Sequence, residues 1–167
     1  GFNKLPKERK IPEKAKRAWK TNGKQFELNL FEDVLDDDMN ELENMVASYM
    51  DDQEELFFWY RNAPRKDYRV QGWKRERIYA DFIFALSEEG KGKTEPYSRL
   101  YVVETKGTHL LNEDTDYKRS VFSRCTELAQ ESDWAHLAPE MKSKRMRFEV
   151  IAEKEWQSKL NEMLAAG

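Results

Sequence analysis

Cysteine is almost missing from this 167-residue chain: Cys125 stands alone, so no disulfide framework is available to it. Histidine is nearly as scarce, with His109 and His136 only. One thiol and two imidazoles leave a tetrahedral zinc site short of ligands, so any metal has to be held by oxygen. Long hydrophobic runs are lacking as well. Stretches such as Leu56–Tyr60 and Phe82–Leu86 fall far short of the roughly 18 apolar residues that span a bilayer, and no apolar signal segment follows the basic start. Together these absences predict a soluble, cytoplasmic protein with no membrane partner. Neither GxSxG nor HExxH occurs, and Cys125 has no histidine placed to activate it. That argues against nucleophilic and zinc catalysis.

What the chain does have is charge and aromatics. Charged residues make up 37%, hydrophobic residues 39% and aromatics 13%, enough Trp, Phe and Tyr for a core beneath a very polar surface. The length suits one domain, and an opening Gly1 in place of Met suggests a tag remnant on a piece of a longer protein. The 29 Lys and Arg nearly balance the 32 Asp and Glu, but the signs are segregated. Residues 1–22 carry Lys4, Lys7, Arg9, Lys10, Lys14, Lys16, Arg17 and Lys20 against Glu8 and Glu13, with Pro6 and Pro12, which reads as a basic linker or arm ahead of a domain at 23–167. From Glu32 to Glu55 the sign reverses.

Periodicity supplies the elements. Phe26, Leu28 and Leu30 alternate as a short extended piece. Leu42, Met45, Val46, Tyr49 and Met50 predict a helix over about Asp37–Met50, with Asp36, Asp37 and Asp38 where a helix N-terminus favours negative charge. Strands are expected at Leu56–Tyr60, Tyr68–Trp73, Ile78–Leu86, Leu100–Val103 and Arg147–Ala152, and a polar turn at 88–93. Helices are expected at Asp116–Gln130, with Val121, Cys125 and Leu128 inward, and at Glu153–Leu164. The order predicts an α/β fold. Within the turn, Gly92-Lys93-Thr94 has the ending of a phosphate-binding loop, but Ser87 stands where that motif needs glycine and Pro96 follows in place of a helix.

The remaining candidate is Glu104-Thr105-Lys106. Chance alone gives about two Glu-x-Lys tripeptides in such a composition, and the chain has four. Three fall in the arm, in the turn or beyond a helix; only this one ends an apolar strand. Side chains two apart on a strand face the same way, so Glu104 and Lys106 point into one place. Asp81 interrupts the apolar run Ile78–Phe84, where a charge is costly without a partner. Asp81, Glu104 and the Thr105 carbonyl could offer three oxygens to Mg²⁺, with Mn²⁺ as a substitute. Lys106 could then orient or deprotonate a water attacking a phosphodiester and stabilise charge at the phosphate. On residue types alone, a buried Glu104–Lys106 or Asp81–Lys106 ion pair in an ordinary sheet accounts for the pattern equally well.

The stretch Ile78-Tyr79-Ala80-Asp81-Phe82-Ile83, followed by Leu100-Tyr101-Val102-Val103-Glu104-Thr105-Lys106-Gly107, resembles the PD-(D/E)xK nucleases. Within them it resembles specifically the C-terminal endonuclease domain of type III restriction-enzyme helicase subunits and related helicase-nucleases. Leu30-Phe31-Glu32, Asn40-Glu41-Leu42-Glu43 and Trp59-Tyr60-Arg61-Asn62 are similar to further pieces of that family in the same order, so the resemblance covers about residues 25 to 130. Ala80 departs from it where the family often has proline. The resemblance implies a restriction-endonuclease-like core, a central mixed sheet flanked by helices. It implies Asp81 and Glu104 as metal ligands, Lys106 as the catalytic lysine and a first-helix carboxylate at Glu43, with Glu41 as the alternative. It also implies a basic residue at Lys118 near the site, and an endonuclease acting on DNA within a larger restriction or defence protein. Partners would be the helicase portion of the parent chain and a methyltransferase or specificity subunit.

Cations suited to phosphate lie around the strand of Asp81: Arg61, Arg65, Lys66, Arg69, Lys74, Arg75 and Arg77. Trp59 and Trp73, nearby, are expected in the core in preference to a stacking role. Lys142, Lys144, Arg145 and Arg147 form a second basic cluster, expected to be ordinary surface. Nothing in the chain has the look of base readout.

Overall fold

The computed structural model describes residues 9–87, 97–110, 112–131 and 145–165, with Ser98 and Glu131 described by their backbone alone. The turn at 88–93, His136, Lys142 and Lys144 lie outside the described residues. The first helix, α1, is Glu41–Asp51 and starts later than its aspartates suggested. Asn40 decides the start: its side chain accepts from the Glu43 N–H at 2.9 Å while the Glu43 carboxylate accepts from the Asn40 N–H at 2.8 Å, a reciprocal cap that satisfies two donors the helix would otherwise leave bare. Asp36–Asp38 forms a single 3-10 turn before it.

Four strands make the main sheet: β1 (Leu56–Arg61), β4 (Phe82–Ser87), β5 (Tyr97–Lys106) and β6 (Arg145–Ala152), in the order β1-β4-β5-β6. The pairs β1–β4 and β4–β5 are antiparallel and β5–β6 is parallel, so the sheet is mixed. A parallel neighbour needs a crossover, and helix α2 (Glu113–Glu131) supplies it. Strands covered on both faces read as continuous apolar runs, which is how Phe82–Leu86 reads; in the edge strand β1 Phe57 stays exposed. Trp59, Phe82, Phe84, Tyr101, Val103 and Ile151 pack with α1 and with α3 (Trp156–Ala165). On the other face Ile83, Ala85, Leu100, Val102 and Phe148 pack with Tyr117, Val121, Phe122 and Ala129 of α2. The result is a mixed sheet between helices. Among the described residues no helix is long and apolar enough to cross a membrane.

Several expectations are corrected. Only Val70–Gln71 (β2) of Tyr68–Trp73 is strand, paired with Arg77–Ile78 (β3) in a separate ribbon. The strand expected over Ile78–Leu86 is therefore broken at residues 79–81. Buried Asn62 holds the break: its Nδ2 donates to the carbonyls of Tyr68 and Ala80, both at 2.8 Å, and its Oδ1 accepts from the Tyr68 N–H at 2.9 Å. Leu128 is 46% exposed, because the buried face of α2 runs Tyr117, Val121, Phe122, Ala129, with half-buried Cys125 packed against it as expected. The extended piece through Leu28 and Leu30 touches β1 by one parallel bridge at Trp59, and Leu30 stays exposed.

The described part of the basic arm is packed against the domain. The Ala18 N–H donates to Val34 O at 2.8 Å, and Arg9 donates to Asp38 and to the Arg61 carbonyl. Lys20 is buried, its ammonium 3.0 Å from Asp51 and 2.7 Å from Asp52.

Candidate functional site

Antiparallel register brings the candidate residues to one end of the sheet. Phe82 lies opposite Val103 and the Asp81 N–H donates to Val103 O at 2.8 Å, so Asp81 sits beside the end of β5 that carries Glu104, Thr105 and Lys106. The same-side expectation for Glu104 and Lys106 holds: Nζ is 2.9 Å from Oε1. Lys118, on the first turns of α2, donates to that oxygen at 2.7 Å. Two ammonium groups thus share Glu104 Oε1. Glu104 is only 3% exposed, and its Oε2 is buried with no hydrogen-bond partner among the described residues.

Asp81 is held by different groups. Its Oδ2 accepts from the Thr105 N–H at 2.7 Å and from the Thr105 hydroxyl at 2.8 Å, while Oδ1 is 3.4 Å from Arg61 Nη1. Thr105 therefore positions Asp81 through its donors, a role distinct from the carbonyl ligation expected of it. Arg61 Nη2 in turn donates to Glu43 Oε1 at 2.9 Å, and the Glu43 Oε2 is the capping oxygen of α1. Glu43 is buried and Glu41 exposed, which separates the two alternatives for the first-helix carboxylate. Glu43 reaches Asp81 only through the guanidinium. Among the described residues no three His, Cys, Asp or Glu side chains converge as a ready metal ligand set.

Electrostatics sharpen this. Burial pushes the Asp81 carboxyl above the usual range; Arg61 pulls it back, and the charge on Glu43 pushes it up again. Glu104 is raised by burial first and by Asp81 second, against the pull of Lys118 and Lys106. Burial lowers Lys118, but Glu104 outweighs it and the ammonium is held above its ordinary range. Both carboxylates therefore sit where their negative charge is incompletely compensated. A bare buried oxygen on one and an elevated proton affinity on both fit a site that takes a cation.

The basic residues divide. Arg61 was expected to meet phosphate; it is buried, and it also donates to the carbonyls of Asp38, Asn62 and Asp81. Arg65, Lys66, Lys74, Arg75 and Arg77 are exposed and Arg69 half-buried. Arg65 occupies the turn after β1 with φ 66°. Of the second cluster, Arg145 is exposed and Arg147 pairs with Glu149 at 2.6 Å. Trp59 is core as expected, whereas Trp73 is 68% exposed.

Sequence reasoning gave Asn62 no part in the site. Asn62→Ala is expected to lower stability by about 3 kcal/mol or more, because it strands three buried backbone groups of Tyr68 and Ala80 at about 1–3 kcal/mol each, and to loosen the break that presents Asp81. Urea unfolding of the variant checks this; a change under about 0.5 kcal/mol, the scale of an ordinary surface substitution, would show that Asn62 holds nothing.

Comparison with protein families, with curated proteins and with solved structures finds no match for the chain in any of the three.

Proposed function

We propose that this domain is a metal-dependent endonuclease with a restriction-endonuclease-like core, hydrolysing DNA phosphodiester bonds as the cutting part of a helicase-containing restriction or defence protein. The observation that carries the reading is the buried Oε2 of Glu104, without a hydrogen-bond partner among the described residues, beside Asp81 and with Lys106 on the same carboxylate. An ordinary buried ion pair has no reason to leave an oxygen bare, since each such atom costs desolvation energy. Asp81 and Glu104 would hold the metal, with the Thr105 carbonyl and Glu43 as further candidates. Mg²⁺ bound there would supply positive charge to the scissile phosphate and acidify water beside it. Lys106 keeps an ammonium at the same carboxylate, able to neutralise charge on a phosphate or move a proton. Arg61 and Thr105 orient Asp81, and Lys118 orients Glu104.

One observation favours a second reading, a nuclease-like or unrelated domain that binds nucleic acid or partner subunits without cutting. Glu43, Asp81 and Glu104 are each met by a cation, Arg61, Lys106 or Lys118, so each of these carboxylates already has a cationic partner without a metal.

Calorimetric titration of Mn²⁺ separates the two, at low salt and with a short duplex present so that phosphate can complete the coordination. Saturable binding in the wild type, lost in Asp81→Ala, is the expected result. Absence of binding in both proteins would leave only the ion-pair network.

A further inference from the structure

Trp73 is the most exposed large apolar side chain among the described residues. A single exposed aromatic is ordinary; its setting is not. It sits between the two strands of the β2–β3 ribbon, and that ribbon is pinned to α2. Gly72 lies so close to the helix that a Cβ there would come within 2.3 Å of the Tyr117 hydroxyl and 2.7 Å of Val121 Cγ2. The Lys74 N–H donates to the Tyr117 hydroxyl at 3.1 Å, and the Lys74 ammonium lies 4.4 Å from the centre of the Tyr117 ring. The Gln71 side chain closes the turn onto Lys74 O at 2.8 Å. Trp73 meets the Tyr117 ring edge-on at 5.1 Å and 87°, and no described aromatic ring lies parallel to it. An open indole is thus presented on a fixed support.

Within the tip the charge is of one sign apart from Glu76, while the first turn of α2 carries Glu113, Asp114 and Asp116. Lys74, Arg75 and Arg77 are all exposed, and none forms an ion pair among the described residues. Tyr117, which anchors the ribbon, is followed by Lys118, whose ammonium rests on Glu104. The tip and the candidate site are thus both in contact with helix α2, through consecutive residues. An aromatic platform among unpaired cations complements a nucleic-acid strand, with bases stacking on the ring and phosphates meeting the cations. An intact duplex keeps its base faces stacked and offers none to such a ring, except at an end.

Resting on the nuclease reading, we propose that the Gly72–Arg77 tip takes an unpaired nucleotide, so that the substrate has a single-stranded segment or frayed end. The test is fluorescence anisotropy of the 167-residue chain in EDTA, with a labelled strand of about a dozen nucleotides, a span within the usual range of single-strand sites. The probe is offered as DNA, as RNA and as a blunt duplex. Trp73→Ala should weaken single-strand binding by about 5- to 150-fold, the range for losing one stacked base, and change duplex binding less than about twofold. Trp73→Phe should restore most of the loss. The DNA and RNA arms then show which strand is preferred. Equal loss on strand and duplex, no loss on the strand, or no strand binding by the wild type would overturn the proposal, and the last would leave the tip as a protein-contact surface. Cutting is read separately with Mg²⁺: a wild type that binds the strand through Trp73 but does not cut ends the nuclease reading and leaves the stacking result intact.

Discussion

Lys106→Ala is expected to lower DNA cleavage by about 10²- to 10⁴-fold, the usual worth of a positioned proton-transferring group, while leaving the fold and the metal affinity nearly unchanged. The structure separates these effects. Lys106 and Lys118 both sit on Glu104 Oε1, so losing Lys106 leaves the buried carboxylate with one cationic partner. Lys106→Arg keeps the charge but should recover little activity, because a guanidinium does not give up its proton in a protein. Gel assays of a linear DNA with Mg²⁺ give the rates, and Mn²⁺ calorimetry on the same variants gives the affinity. Activity within about tenfold of wild type would take Lys106 out of the chemistry and return Glu104–Lys106 to a structural ion pair.

Asp51→Ala acts on stability, with an expected loss of about 3–5 kcal/mol, the range for removing one partner of a buried ion pair. The Asp51 side chain is fully buried. It accepts from Trp59 Nε1 at 2.8 Å, from Leu28 N–H at 2.9 Å and from Glu27 N–H, besides pairing with buried Lys20. The variant strands a lysine, an indole and two backbone donors at once. For a domain of this size that corresponds to a fall in melting temperature of about 6 to 20 °C. Burial pushes the Asp51 carboxyl up, but the hydrogen bonds from Leu28, Trp59 and Glu27 and the pull of Lys20 more than offset it and hold it below its ordinary range. Its stabilisation is therefore present above the usual carboxylate range and lost as pH falls through the depressed value. Burial lowers Lys20, yet Asp52 and Asp51 win and hold the ammonium above the ordinary lysine range; its share is full below that range and lost as pH rises through the raised value. Stability of Asp51→Ala should accordingly vary less with acid than that of the wild type. Equal acid dependence in the two proteins would contradict the assignment.

How much of this was legible follows from where the information lies. The run Phe82–Leu86 announces a strand because both sheet faces are covered there. Pairing of Glu104 with Lys106 follows from the period of two. The break before Phe82 does not, because it depends on Asn62, some twenty residues earlier in the chain, taking the backbone groups of Tyr68 and Ala80. Arg61 read as a surface cation because a strand end looks exposed in one dimension; only the packed sheet shows it enclosed by Glu43 and Asp81. Lys20 read as part of a polar arm for the same reason, its partners lying 31 and 32 residues away. The start of α1, by contrast, could have been found from Asn40 and Glu43, a capping spacing present in the sequence. Trp73 was misjudged by residue type, although the Lys74, Arg75 and Arg77 beside it signalled solvent.

The crossover helix has a consequence for how such a domain joins others. Its 19 residues span about 28 Å at 1.5 Å per residue. Lys118 lies near one end, over the carboxylates, and Glu131 marks the other. Chain inserted or exchanged after Glu131 enters far from Glu104, so a neighbouring module could be grafted there, or lost, while the groups around Glu104 keep their spacing.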